Sequence, residues 1–370
     1  NIESLPKISE SQTKKLRKIY QEFSLKDSLS VKKIEDTTKH DVKAVEYFIK
    51  NRIKKNKLVN RYNEHIHICC TSEDINNIAY SLMIKEGRDL LINQANMLER
   101  AIKSMGKKYK SVAMLSHTHG QPASPTTMGK EFINFQKRFS AQIDDLKNIQ
   151  IKGKFNGATG NYSAHSIAYP KMNWPLSMKR FVNSLKLEFN SHTTQIEPHD
   201  YIADICHKIN HINSILIGFS QDIWTYISKN YFSQKNIKGE IGSSTMPHKI
   251  NPINFENAEG NLGMSNAISQ YFATKLVISR LQRDLSDSTV LRNIGLVYAY
   301  SIIAYKNILL GLNKLDLNKV KIANDLDECW EILAEPIQMV ARKYQISNSY
   351  EIPKKYTRGK KVDKMTIKKI

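Results

Sequence analysis

The feature that most constrains the fold is the absence of proline from long parts of the chain. Residues 126–169, 199–246 and 253–335 contain none. Because proline interrupts helices, spans of this length allow helices longer than about 25 residues. Apolar residues recur at helical spacing within them, which predicts an all-α fold built around a bundle of long helices. Two such stripes are Ile202, Ile205, Ile209, Ile212, Ile215, Leu216 and Phe219, and Leu291, Ile294, Tyr298, Ile302, Tyr305, Leu309 and Leu312.

We predict that this bundle occupies residues 69–310. Residues 1–68 are charged and mixed in character, and residues 311–370 become basic, so each is predicted to form a smaller helical domain. The chain begins at Asn1 without a methionine or a leader peptide. We therefore expect residues to precede it, and both terminal domains to be truncated.

The net charge of +21 raises the alternative of a basic RNA-binding helical protein. The lysines are scattered and are not interleaved with aromatic residues, so we interpret them as solvated surface and expect no nucleic-acid partner. Four cysteines without a disulfide framework favour a cytoplasmic protein. No apolar run approaches the roughly 20 residues of a membrane span, so no membrane partner is expected.

Residues 239–252, GEIGSSTMPHKINP, combine glycine, hydroxyl, imidazole, ammonium and proline groups. The glycines and prolines exclude a regular helix, so the segment is predicted to be a loop. Its side chains are suited to moving a proton and holding an anion together, although a structural surface loop is the alternative. The side chains concerned are Ser243, Ser244, His248 and Lys249.

A second predicted loop, residues 116–125, carries His117 and His119. It leads into a predicted helix from about Thr126 to Gln150. Imidazole is the side chain that titrates near neutral pH unaided, so both histidines are candidate acid–base groups. A purely structural turn is the alternative.

Two predicted helix starts are candidates for binding an anion. Asp41 precedes an apolar-periodic stretch, which makes it a helix N-cap or a first-turn acid and places His40 at the mouth of a helix. Thr71 and Ser72 begin a helical pattern that runs to about Ser104. Free backbone N–H groups at such a start can hold a carboxylate or phosphate, whereas the alternative is a capping turn without a ligand.

A third candidate lies where one long predicted helix gives way to the next. Two guanidinium groups and a hydroxyl cluster there, as recognition of a phosphate monoester requires. The alternative is a charged turn between helices. The cluster comprises Arg283, Ser288 and Arg292.

Histidines and cysteines also lie together at His65, His67, Cys69 and Cys70. Their spacing matches none of the usual zinc frameworks, so we predict no metal site. No cofactor is predicted either, and the chemistry must then come from side chains and backbone groups.

Several motifs occur in one order along the chain, and together they resemble the adenylosuccinate lyase family of the fumarase/aspartase superfamily. They are KHD, TSED, THGQP, GNY, TTQIEPH, SSTMPHKINP and the cluster of Arg283, Ser288 and Arg292. The similarity extends over almost the whole chain. It implies an all-α homotetramer of three-domain subunits around a central helix bundle, with each active site assembled from three subunits.

The resemblance also implies a reaction. Members of the family eliminate fumarate from adenylosuccinate, giving AMP, and from the succinyl-carboxamide ribotide of purine biosynthesis (SAICAR), giving AICAR. Ser243 is implied as the general base, with Ser244 as the less favoured choice, while Lys249 and the loop amides stabilise the alkoxide or the carbanion. His119, oriented by Glu256, is implied as the general acid on the family's Thr-His-Gly pattern alone.

The same resemblance implies a set of binding residues. His40, next to Asp41, positions the substrate. The N-terminal arginine–tyrosine phosphate contact of the family has no counterpart in this chain. Another lyase of the superfamily, such as argininosuccinate lyase, is an alternative that the phosphate-type cluster disfavours. The succinyl carboxylates are assigned to Thr71, Ser72, Gln195, Lys249 and Asn251, and the nucleotide phosphate to Arg283, Ser288 and Arg292.

Overall fold

The structure, a computed structural model, describes residues 7–369. The chain is 64% helical, which confirms the predicted all-α class. The two terminal residues, Asn1 and Ile370, lie outside the described residues. The predicted truncation of both terminal domains therefore stays a prediction. The helices are α1 Glu10–Gln21, α2 Leu25–Thr38, α3 Asp41–Lys54, α4 Ser72–Lys108, α5 Met128–Asn148, α6 Ser163–Ala168, α7 Trp174–Ser184, α8 Asp200–Ser228, α9 Ile253–Lys275, α10 Ser286–Leu291, α11 Ile294–Lys314, α12 Lys319–Asp327, α13 Ala334–Lys343, α14 Glu351–Thr357 and α15 Lys364–Ile367, with 3₁₀ turns at Asn60–His65 and Trp330–Leu333.

Helices α5, α8, α9 and α11 lie in the three proline-free spans named above, and α4 lies where the sequence predicts a separate helix from the TSED motif. Helix α4 has 37 residues and α8 has 29, and both exceed the ordinary length of globular helices. Helix α4 begins at Ser72, where the pattern predicts a start, and it runs four residues past the predicted end at Ser104. Helix α5 covers Met128–Asn148, within two residues of the predicted bounds at each end.

Short strands accompany the helices. The strands are β1 Ala113–Thr118, β2 Gln121–Thr127, β3 Lys152–Gly153, β4 Glu188–Phe189, β5 Phe232–Gln234 and β6 Leu315–Leu317. β1 pairs with β2 and β5 with β6, both antiparallel, and β3 pairs with β4 in parallel. The prediction of an irregular loop at residues 116–125 is therefore wrong, because this segment forms most of the β1–β2 hairpin.

The chain forms two compact units, each assembled from separate stretches. The first unit comprises Asn1–Arg88, Ile149–Ile205 and Phe272–Asn293. The second comprises Asp89–Asn148, Cys206–Tyr271 and Ile294–Ile370. The division into three domains at residues 68 and 310 stays a prediction.

A buried polar network links three long helices inside the second unit. The Nδ2 group of Asn213, on α8, donates to Ser265 Oγ on α9 at 3.1 Å and to Ser301 Oγ on α11 at 3.0 Å. The hydroxyl of Tyr305 donates to Asn213 Oδ1 at 2.9 Å. Because each of these groups is buried and has partners, the network favours one register of the three helices over alternatives.

One helical segment among the described residues, Ser286–Lys314, is long and apolar enough by composition to cross a membrane. Core helices of soluble proteins meet the same criterion. In the second unit, α11 buries Val297, Ala304 and Ile308 together with the hydrogen-bonded Ser301. This packing accounts for the apolar composition of α11.

Candidate active site

The residues that sequence reasoning assigns to the site divide between the two compact units. The residues implied in proton transfer, with Lys249 and Asn251, lie in the second unit, and the remaining binding residues lie in the first. The first unit holds His40, Asp41, Thr71, Ser72, Gln195, Arg283, Ser288 and Arg292. The second holds His119, Ser243, Lys249, Asn251 and Glu256.

In the first unit, the start of α4 is fixed by the carboxylate of Asp74. Asp74 Oδ2 accepts a hydrogen bond from the backbone N–H of Thr71 at 2.9 Å, and Oδ1 accepts one from the N–H of Asn156 at 3.1 Å. The Nζ of Lys154 lies 2.8 Å from Oδ1, and both side chains of this ion pair are fully buried. Burial lowers the pKa of Lys154, although Asp74 opposes the shift. Asp74 thus holds Thr71 and Ser72 in a constant position relative to the segment that leads into the GNY motif.

Gly160, the first residue of the GNY motif, occupies a position where no larger side chain fits. Its φ is +72°, and a Cβ built on it would lie 2.0 Å from the backbone oxygen of Thr193. We expect Gly160→Ala to lower the free energy of unfolding by about 1 to 3 kcal/mol through left-handed strain and overlap. Thermal denaturation monitored by circular dichroism measures the change.

Gly218→Ala is the matched control for this substitution. Gly218 lies inside α8, where the nearest atom to an added Cβ is Phe135 at 3.7 Å, an ordinary contact. Alanine is favoured over glycine in a helix interior by up to about 1 kcal/mol, so the control should raise stability. Equal melting temperatures for the two variants would contradict the role of Gly160.

Gln195 and Arg283 are brought together in the first unit. Arg283 Nη1 donates to Gln195 Oε1 at 3.2 Å, and Arg283 Nη2 lies 3.0 Å from Glu73 Oε1. Burial raises the pKa of Glu73, although Arg283 opposes that shift. Among the described residues, Arg283 Nε is buried without a hydrogen-bond partner. Two of the five N–H donors of this guanidinium therefore already contact Gln195 and Glu73, and its assignment to phosphate stays a prediction.

His40 is the N-cap of α3, and Asp41 is the first helical residue, which decides between the two predicted roles of Asp41. The Nδ1 atom of His40 accepts a hydrogen bond from the N–H of Lys43 at 3.3 Å. An imidazole whose Nδ1 accepts carries its proton on Nε2 when it is neutral. The Nε2–H group of this exposed side chain is then a donor that a ligand can use.

The hydroxyl of Tyr80 lies within electrostatic range of two of the predicted binding regions. Burial raises the pKa of Tyr80, the guanidinium of Arg292 lowers it, and the carboxylate of Asp41 raises it. Asp41 begins α3 and Arg292 directly follows α10, so the fold brings two distant parts of the sequence within electrostatic range of one hydroxyl. Tyr80 is a candidate residue that sequence reasoning missed.

His67, which sequence reasoning considered only as a metal ligand, is a second candidate. Its φ of 66° is left-handed, and burial lowers the pKa of its imidazole. Asp74 and His40 are among the charges that act on it. The only sequence signal for His67 is the His-x-His pair shortly before the TSED motif.

The neighbouring cysteines do not complete a metal site. Cys69 and Cys70 are free thiols, and burial raises the pKa of Cys70 to about 12. Across residues 7–369, no group of three or more histidine, cysteine, aspartate or glutamate residues is arranged to hold a metal ion.

In the second unit, the β1–β2 hairpin presents His119 at its tip. Thr118 pairs with Gln121, so His119 and Gly120 are the two central residues of the turn. Both have left-handed backbones, with φ of 54° and 72°, as a two-residue type I′ turn requires. His117 points from β1 instead, and burial together with Lys229 lowers the pKa of its imidazole. The exposed imidazole in this turn is therefore that of His119.

Glu256, in the first turn of α9, is the residue implied to orient His119. Its Oε1 accepts a hydrogen bond from the indole N–H of Trp224 at 3.0 Å. The contacts among residues 7–369 include no hydrogen bond between Glu256 and His119. The orienting role of Glu256 stays a prediction.

The loop that contains Ser243 is closed on itself. A Cβ on Gly242 would lie 2.2 Å from the backbone oxygen of Lys249, so the two sides of the loop approach closely only because residue 242 has no side chain. The N–H of Met246 donates to Ser243 Oγ at 3.1 Å, and the N–H of Thr245 approaches it at 3.4 Å. Ser244 and Lys249 are exposed, and Asn251 is half-buried. Two backbone donors are therefore aimed at the oxygen of Ser243 rather than that of Ser244.

Comparison with known protein families agrees with the order of motifs. Residues 1–266 match a family model described as lyase, and residues 279–370 match a model described as adenylosuccinate lyase C-terminal. An adenylosuccinate lyase of Buchnera aphidicola (Schizaphis graminum) is 53% identical over 369 residues, which cover 100% of this chain and 81% of the relative. The chain belongs to the adenylosuccinate lyase family. The adenylosuccinate lyase of Escherichia coli K12 is 49% identical, over 98% of this chain and 80% of its own length.

Solved structures place this adenylosuccinate lyase family member in a wider fold group. A fumarate lyase from Mesorhizobium sp. BNC1 superposes with a TM-score of 0.75 over 95% of this chain and 78% of its own, at 14% identity. A 3-carboxy-cis,cis-muconate lactonizing enzyme from Pseudomonas putida gives a TM-score of 0.74 over the same shares, at 16% identity. At such low identity the likeness concerns the fold alone, and it agrees with the all-α class.

Proposed function

We propose that the chain cleaves adenylosuccinate to AMP and fumarate, and SAICAR to AICAR and fumarate, by β-elimination. The observation that carries the proposal is the environment of Ser243, whose oxygen accepts hydrogen bonds from loop amides inside the SSTMPHK motif. The relatives that match over the whole chain are adenylosuccinate lyases, which supports these purine nucleotide substrates.

The elimination starts with removal of a proton beside a succinyl carboxylate. We assign this step to Ser243, because the N–H groups of Met246 and Thr245 stabilise the alkoxide that a serine base requires. Proton removal places a second negative charge on the carboxylate. The ammonium of Lys249, on the other side of the same loop, is assigned to stabilise that charge.

The departing purine nitrogen must receive a proton, and we assign this step to His119. The type I′ turn holds its imidazole at the tip of a hairpin, where it is exposed to a ligand. A general acid of this kind contributes about 10²- to 10⁴-fold to the rate. Glu256 is assigned to orient the imidazole.

Binding is assigned to residues of both compact units. Thr71 and Ser72 at the start of α4 offer their hydroxyls to a carboxylate, whereas the N–H of Thr71 is already bonded to Asp74. Binding of the nucleotide end of the substrate is assigned to the cluster around α10. His40 and Asp41 are assigned to position the substrate. The remaining carboxylate contacts are Gln195 and Asn251, and the phosphate contacts are Arg283, Ser288 and Arg292.

We also propose that the chain acts as a homotetramer with shared active sites in the cytoplasm. Three long helices expose large apolar residues at seven-residue spacing, which is the pattern of a seam between packed helices. The free cysteines at positions 69, 70, 206 and 329 support a reducing compartment. The exposed apolar residues are Met83, Leu90 and Met97 on α4, Met264 and Tyr271 on α9, and Leu296, Ile303 and Leu310 on α11.

A charged residue in the α11 stripe should break the assembly. We expect Ile303→Arg to shift the protein from tetramer to smaller species in sedimentation velocity at micromolar concentration, because a buried unpaired charge at an interface is costly. Val320→Arg is the matched control, since Val320 is 70% exposed and lies on α12, which is not one of the three helices that carry the stripe. If the Ile303→Arg protein remains a tetramer, the proposal that the α11 stripe packs between subunits is contradicted.

The proposed activity is tested by mixing the protein with adenylosuccinate and following the ultraviolet absorbance. The expected result is a fall in the adenylosuccinate band with release of AMP and fumarate. Turnover of argininosuccinate instead would assign the chain to another branch of the superfamily. Tight, saturable RNA binding at physiological salt without lyase activity would contradict both assignments.

A further inference from the structure

Two segments of the first unit that carry predicted binding residues are joined by His199. Its Nε2 lies 3.4 Å from Asp287 Oδ2, and since a carboxylate only accepts, the imidazole N–H is the donor. The other oxygen of Asp287 accepts the backbone N–H of Ser288 at 2.7 Å. A continuous path of hydrogen bonds therefore runs from the TTQIEPH motif to the backbone of a predicted phosphate ligand.

Glu197 completes this arrangement, and we call Glu197, His199 and Asp287 the histidine clamp. Glu197 Oε2 accepts the backbone N–H of His199 at 2.7 Å, and its Oε1 accepts Asn190 Nδ2 at 3.0 Å. The three side chains are buried. Two carboxylates flanking one imidazole make a costly buried site unless the groups stabilise one another.

The same two segments are joined at a second place, nearer to Gln195. The backbone N–H of Gln195 donates to the oxygen of Gln282 at 3.2 Å, and the Gln195 side chain accepts from Arg283 at 3.2 Å. The histidine clamp and this contact lie at opposite ends of the TTQIEPH motif. Together they fix the distance between the predicted carboxylate contact at Gln195 and the predicted phosphate contact at Ser288.

The backbone of His199 is also strained. Its φ is +65°, in the left-handed region that non-glycine residues seldom occupy. Such strain persists only where the surroundings hold it. Burial raises the pKa of Asp287, but the bond from His199 and the N–H of Ser288 outweigh it, so that the pKa is lowered. The carboxylate form that accepts both bonds is thereby favoured.

We infer that His199 is a positioning residue for the phosphate end of the substrate, acting through Asp287 on the backbone of Ser288. This rests on the proposed function, because it assumes a phosphorylated purine ligand. Nothing in the geometry requires His199 to touch the ligand. Loss of the imidazole frees Asp287, and with it Ser288 and the start of α10, so contacts to phosphate weaken while contacts to the rest of the nucleotide stay.

The test compares ligands that differ only in the phosphate. We expect His199→Asn to raise the dissociation constant for AMP about tenfold and to leave that for adenosine unchanged, both measured by calorimetry. The ratio of the adenosine constant to the AMP constant therefore falls about tenfold. A general loss of structure would weaken both ligands and leave the ratio unchanged. His192→Asn is the matched control, since His192 lies in the same segment, is exposed and contacts Ser191.

Asp287→Asn provides a second route to the same measurement. It keeps an oxygen for the N–H of Ser288 but removes the charge that accepts from His199, so the ratio should fall in the same direction. The double variant should behave as either single variant, because the two side chains act as one path. A folded His199→Asn protein with the wild-type ratio would overturn the inference, as would failure of both single variants to fold.

This outcome is distinguishable from failure of the proposed function. If the wild type neither binds AMP nor cleaves adenylosuccinate, the proposed function is contradicted. If the wild type does both and the ratio is unchanged in the variants, only the role of His199 is contradicted.

Discussion

Ser243→Ala should lower kcat for adenylosuccinate cleavage by at least about 1000-fold, which corresponds to about 4 kcal/mol of transition-state stabilisation. The alanine removes the oxygen towards which the N–H groups of Met246 and Thr245 are aimed. Because the role proposed for Ser243 is to accept a proton and not to anchor the substrate, KM should change much less than kcat. Steady-state kinetics on the purified variant measures both.

Ser244→Ala is the matched control for this prediction. Ser244 is adjacent, exposed and equally a hydroxyl, so its removal changes the loop by the same single atom. We expect Ser244→Ala to keep kcat within about tenfold of wild type, since no loop amide is directed at its oxygen. A larger loss for Ser244→Ala than for Ser243→Ala would transfer the role of base to Ser244.

Much of the fold could be predicted because its cause is local. The proline-free spans and the apolar stripes determine where long helices can form, and the start of α4 at Ser72 follows from the TSED motif. The β1–β2 hairpin was harder to predict for a local reason too. Its turn consists of His119 and Gly120, and histidine at a left-handed position is a weaker turn signal than Asn-Gly or Asp-Gly.

The candidate-site residues fall into the same two groups: those that a local motif indicates and those that depend on distant partners. Motif residues such as Ser243 could be named from the sequence because the chemistry and the motif lie in one short segment. Tyr80, Asp74 and His199 could not, since their importance comes from partners far away in the chain. Asp74 contacts Asn156 and His199 contacts Asp287, and no periodicity within a single sequence links positions so far apart.

The two residues assigned to proton transfer should complement each other between subunits. His119→Gln removes the proposed acid and should lower kcat about 10²- to 10⁴-fold, as loss of a general acid does. Ser243→Ala removes the proposed base. If a site takes His119 from one chain and Ser243 from another, random mixing of equal amounts of the two variants leaves one quarter of the sites with both residues. Activity should therefore rise from the level of the parents to about one quarter of wild type.

The measurement requires proof that subunits exchange. The two variants carry different affinity tags, are mixed and reassembled, and are captured through one tag and then the other before turnover of adenylosuccinate is measured. The control for simple dilution is a mixture of His119→Gln tetramers with wild-type tetramers. The subunits of this mixture are not dissociated and reassembled. Doubly tagged tetramers whose activity stays at the level of the parents would show that both residues act from one chain or that one assignment is wrong. Recovery of activity requires that a site take His119 and Ser243 from different chains, because a tetramer built from the two variants contains no chain with both side chains intact.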